Sequence, residues 1–214
     1  MKFNGTICAL IELSVFFIIS YQLRQYKDLS TMHSGAYYWI MFTILTGIWE
    51  ITYVTQRKRV SHIAKELIDS DERVWTSDYS ICVLFPWNFS KIFYAEYAAY
   101  ADREYMENED KWSLAIEGSH CLCCAIYSTM TIVFFICNEN SYRFYLSLGA
   151  AMGSQLMNSV LYMSEYIIQT RESTNVNYNS DEFPCGILLY KRPFMYINIF
   201  WTIMPGGILI YYLL

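Results

Sequence analysis

Residues Leu114–Cys137 read LAIEGSHCLCCAIYSTMTIVFFIC, with neither lysine nor arginine along the run. A helix over these 24 residues rises about 36 Å, enough to cross roughly 30 Å of hydrocarbon. A soluble helix of this length would carry a charged face at a 3.6-residue period, and this one does not. Four further stretches read the same way: Ile7–Leu23, Ala36–Thr55, Phe144–Ile168 and Pro193–Leu214, again without Lys or Arg. Together they predict an all-α, polytopic membrane protein with five transmembrane helices.

The composition agrees with that reading. Of 214 residues, 55 % are hydrophobic and only 16 % are charged, against about 25 % charged in an average soluble domain. A net charge of −5 leaves no basic surplus for neutralising phosphates, so no nucleic-acid partner is expected. The first stretch has only a weak n-region, Met1 and Lys2, and no clear small-residue cleavage site followed by polar sequence, which favours a retained span over a cleaved signal. The basic residues gather in the connections at 56–113 and 169–192. By the positive-inside rule this favours an N-terminus on the cytoplasmic or matrix side.

The seven cysteines do not have the spacing of a disulfide framework. Cys121 and Cys123 lie about 200° apart around a helix, so a metal site there is not expected. No cofactor is expected either. Residues 56–113 form the long polar connection, within which Ile92–Ala101 is aromatic and alanine-rich, suited to a helix lying at the interface.

Ionisable groups inside hydrocarbon are costly and generally face a bundle interior or a cavity. The spans hold four acids, Glu12, Glu50, Glu117 and Glu165, and one titratable base, His120. Glu12, near a helix end, is expected to reach the interface. Glu117, His120, Cys121, Cys124 and Ser128 recur on one helix face, and Gln155, Asn158, Ser159 and Tyr162 form a stripe on the fourth span. Thr46 and Glu50 stand one turn apart on the second span, and Asn198 and Trp201 on the fifth. Facing stripes of this kind would either hydrogen-bond the helices together or line a pocket. The acids favour the pocket, because interhelical bonding does not require them. Histidine-box oxygenase chemistry cannot be built from three histidines, and no phosphate-binding glycine loop or nucleophile elbow is present.

The order of these residues resembles a known family. Glu-Tyr-Ala-Ala-Tyr-Ala-Asp-Arg-Glu-Tyr at 96–105 precedes a span with Glu117 near its start. Leu161-Tyr162-x-Ser164-Glu165 follows, then Asn198-x-x-Trp201-x-x-x-Pro205-Gly206. This is similar to the EXPERA domain in its emopamil-binding branch, the sterol Δ8–Δ7 isomerases. The resemblance implies five helices enclosing a lipid-accessible pocket, with residues 1–35 as a first span and short loop. Residues 36–214 would be an EXPERA-like four-helix domain, carrying an extended polar and interfacial loop at 56–113.

In that family a buried acid protonates a sterol ring double bond, an aromatic face steadies the cation, and a base removes a neighbouring proton. The resemblance assigns proton work to Glu117, with Glu50 and His120 as candidates for the second group. It assigns ligand binding to Asn198, Trp201, Tyr162, Asn158 and Thr46. The second span departs from the family's His-x-x-x-Glu. If Glu50 matches the glutamate, Thr46 holds the histidine position; if the alignment slides by four, Glu50 holds it and Val54 replaces the acid. One proton-handling group is missing either way. The expectation is therefore a sterol- or lipid-binding membrane protein with lost or altered catalysis, with an active isomerase as the alternative. Its partners would be a membrane lipid or sterol, and other membrane subunits or a second copy. The resemblance points to the endoplasmic reticulum, with another organelle membrane such as the mitochondrial inner membrane left open.

Overall fold

Seven helices account for most of the chain in a computed structural model that describes residues 2–101, 111–137, 141–169 and 193–213. Five are long: α1 (Gly5–Arg24), α2 (Ser34–Thr55), α5 (Lys111–Cys137), α6 (Tyr142–Gln169) and α7 (Pro193–Leu213). Each contains one of the five stretches without Lys or Arg almost end to end. The shorter helices are α3 (Arg57–Ser70) and α4 (Pro86–Tyr100). The all-α expectation holds, apart from a small ribbon of β1 (Lys2–Asn4) and β2 (Asp78–Ser80), paired antiparallel with Phe3 opposite Tyr79. By length and composition, α1 and the Leu114–Cys137 part of α5 could cross a membrane. Helices α2 and α6 are comparably long, but their Trp, Tyr, Thr, Ser, Gln and Asn side chains dilute the apolar content.

Local chemistry explains where the helices begin and end. Asn4 caps α1, its side-chain oxygen accepting from the Ile7 N–H at 2.9 Å, which satisfies one orphan donor of the first turn. Pro86 opens α4, where its missing N–H costs nothing. Helix α3 buries Val60, Ala64 and Leu67 on one stripe and ends at Asp71 in the left-handed region, φ 52°.

Helix α2 is the centre of the bundle. It packs on α5, which packs on α6, and α6 packs on α7. Gly47 permits the α2–α5 approach: a Cβ there would sit 2.7 Å from the Ala125 Cβ. Polar bonds tie the remaining helices in. Tyr37 donates to the Ser20 carbonyl at 2.7 Å, joining α1 to α2, and the Trp39 indole donates to Gln155 at 2.7 Å, joining α2 to α6. Large apolar side chains face outward, among them Leu10, Phe17 and Ile18 of α1, Leu146 of α6, and Phe200 and Ile203 of α7.

The stretch after α2 is folded rather than extended. Helix α4 packs on both α2 and α3, burying Phe89, Ile92, Tyr94 and Ala95. The stretch expected to form an interfacial helix at 92–101 thus lies largely within α4, one side of which is covered by α2 and α3. Glu12 differs from expectation. It is buried, 5 % exposed, and accepts from the Trp49 indole at 2.9 Å. The sequence readings at 102–110 and 170–192, and the Glu165 side chain, lie outside the described residues.

Candidate functional site

Each of the four polar pairs arises from helical spacing, with residues three or four apart sharing a face. On α2 these are Thr46 and Glu50, on α5 Glu117 and His120, on α6 Asn158 and Tyr162, and on α7 Asn198 and Trp201. All eight line one cavity of about 370 Å³. The residues expected to bind and those expected to handle protons therefore border the same space.

The stripes divide along their length. Toward the α3–α4 end, Glu117, His120, Asn158 and Ser159 face the cavity. Farther along the same faces, the groups join helix to helix. Gln155 bridges Trp39 and Thr43 (2.7 and 3.4 Å), while Cys121, Cys124 and Ser128 are buried and do not line the cavity. Pocket and interhelical bonding are thus both realised along one stripe.

Two walls were not anticipated from sequence. Ala9 and Leu13 of α1 border the cavity, as do Phe89, Phe93, Tyr94 and Tyr97 of α4, and Trp75 from the connection between α3 and β2. The aromatic density of residues 85–100 was the available signal, and it is equally compatible with a membrane interface. The α1, α4 and Trp75 side is largely aromatic and aliphatic. The α5, α6 and α7 side carries the acid, imidazole and amide groups.

Individual contacts fix the lining. Trp201 stands edge-on to Trp39 (5.0 Å between ring centres) and to Phe42 (5.6 Å). Tyr97 and Tyr162 hydroxyls meet at 3.4 Å, joining α4 to α6 across one edge. The His120 Nδ1 lies 3.5 Å from the Cys124 sulfur. Thr46 donates its hydroxyl to the Thr43 carbonyl at 3.2 Å. Glu50 and Glu117 interact electrostatically. Burial, with the nearby Glu50 and Glu117 carboxyls adding to it, pushes the Tyr94 phenol well above its ordinary ionisation range. Tyr94 therefore remains a neutral hydroxyl, stacked on Tyr53 at 4.8 Å.

The arrangement suits a largely apolar molecule with one or two polar atoms directed at the α5–α7 wall. Among the described residues no lysine or arginine lines the cavity, and these residues offer a phosphate or carboxylate inside it no counter-charge. Volumes of roughly 300–1,000 Å³ are usual for small-molecule sites, and this cavity falls at the lower end. The chain matches no family model, no curated protein and no solved structure.

Proposed function

We propose that this chain is a five-span membrane protein of the emopamil-binding, EXPERA kind, and that its cavity holds a sterol or similar flat lipid. In this reading the family's isomerisation is lost or altered. The observation that carries it is the convergence of Thr46, Glu50, Glu117, His120, Asn158, Tyr162, Asn198 and Trp201 on one cavity whose other walls are largely apolar. Outward-facing aliphatic and aromatic side chains on α1, α6 and α7 support burial of those faces in lipid, since exposed apolar area of that extent is unusual for a soluble monomer.

The case for altered chemistry rests on Thr46. In the alignment that matches Glu50 to the family's glutamate, Thr46 holds the histidine position one turn away in the cavity wall, and its hydroxyl donates to the Thr43 carbonyl. A threonine hydroxyl does not exchange protons near neutral pH as an imidazole does. The alternative, an active isomerase, is favoured by one observation: Glu50, Glu117 and His120 border the same space, as proton delivery and removal on one substrate require.

The test uses the full chain in a host without its own Δ8–Δ7 isomerase. Purified protein is exposed to a diazirine-bearing sterol, and the same membranes are fed a Δ8-sterol. The expected result is crosslinking that unlabelled sterol competes away, weakened at least about tenfold by Thr46→Leu or Asn198→Leu, with the Δ8-sterol left unconverted. Folded protein that fails to crosslink overturns the lipid reading. Conversion that disappears in Glu117→Gln replaces altered chemistry with active isomerisation.

A further inference from the structure

The segment between α3 and β2 is fastened at both ends, and its one cavity-lining residue is Trp75. On one side, Glu96 of α4, only 4 % exposed, accepts from the Arg73 guanidinium and from the Val74 N–H at 2.9 Å. The Arg73 guanidinium also lies over the Tyr100 ring, 4.1 Å from its centre. Tyr100 in turn donates to the Glu72 carbonyl at 2.7 Å. On the other side, the start of α1 holds the segment. The Thr6 N–H and hydroxyl both donate to the Trp75 carbonyl (3.3 and 2.9 Å), and the Gly5 N–H donates to Ser77 (3.1 Å). Gly5 is required for that contact, because a Cβ there would stand 2.1 Å from the Val74 carbonyl oxygen.

These fastenings present the Trp75 indole to the cavity beside Ala9, Phe89 and Phe93. Those neighbours are apolar, whereas Glu117, Asn158 and Asn198, which would take a ligand's polar atom, come from α5, α6 and α7. A lipid anchored by its polar end on α5–α7 would rest its hydrocarbon on the apolar lining to which Trp75 belongs. From this we infer that Trp75 is a specificity-determining residue that limits how long a hydrocarbon end the cavity accepts, with Glu96 and Gly5 as the residues that position it. The inference rests on the lipid-binding reading of the cavity.

Two diazirine-bearing sterols test it on the full-length purified chain, one with the ordinary cholesterol side chain and one lengthened by several methylenes. Wild type is expected to crosslink to the shorter probe about tenfold better, a ratio within reach of a pocket that discriminates by methylenes. Trp75→Ala is expected to bring the two probes within about threefold of each other, while Trp75→Phe keeps most of the preference. Gly5→Ala, which leaves Trp75 in place but displaces its support, is expected to fall between them. It serves as the deciding variant if Trp75→Ala does not purify. Equal labelling by wild type overturns the role of Trp75 and leaves the lipid reading standing. So does an undiminished preference in folded Trp75→Ala, or in folded Gly5→Ala when it is the deciding variant. Folded wild type that crosslinks to neither probe removes the lipid reading itself.

Discussion

The Trp49 indole N–H reaches Glu12 Oε1 at 2.9 Å, and the second carboxyl oxygen has no hydrogen-bond partner among the described residues. Truncating one member of such a pair strands the other, and a stranded buried donor costs about 1–3 kcal/mol. Glu12→Ala should therefore lower stability by about that amount, whereas Glu12→Gln, which keeps an acceptor, should lower it less. Replacing both partners, Glu12→Leu with Trp49→Phe, should cost less than the sum of the two single changes, as coupled neighbours do. Thermal unfolding in detergent measures each. Sequence could place Glu12 inside a span but not choose its surroundings. One carboxylate on an apolar helix reads the same whether it reaches toward water or meets an indole, and that choice depends on how α1 lies against Trp49.

At the scale of the helix, the α2–α5 contact depends on the absence of a side chain at Gly47. A methyl group there would meet the Ala125 Cβ at 2.7 Å and the Cys121 carbonyl oxygen at 3.3 Å. Close approach between small residues is a common basis for packing helices in membranes, and overpacking such a contact costs about 1–3 kcal/mol. Gly47→Ala should lower the melting temperature, and adding Ala125→Gly should recover part of the loss. Because Thr46 and Glu50 flank Gly47 on α2, widening the contact would also enlarge the cavity. Helix α4 shows how far an element can be read from its own residues. Its aromatic and alanine-rich composition establishes an apolar helix, but the partners that cover it, α2 and α3, come from elsewhere in the chain.

For the whole molecule, the paired strands bring the N-terminus to the α3–α4 side, with Lys2 opposite Ser80. The five-span reading requires that side to lie across the membrane from the C-terminal end of α5. Two exposed cysteines report on this: Cys82 lies between β2 and α4, and Cys137 ends α5. In single-cysteine variants, a membrane-impermeant maleimide should label Cys82 and Cys137 from opposite faces of sealed vesicles. Labelling of both from the same face would break the five-span reading while leaving the helical fold intact.

The five long helices and the eight cavity residues were legible in the sequence for one physical reason. Helical hydrogen bonds are local, so uncharged length defines a helix and three- or four-residue spacing defines a face. Such a stripe does not encode what stands opposite it. Only the tertiary structure decided that Gln155 bonds Trp39 while Asn158 faces the cavity, that α4 and Trp75 complete the wall, and that Glu12 turns inward. Each of those outcomes depends on contacts between segments far apart in the chain, and the pattern within a single segment is silent about its neighbours.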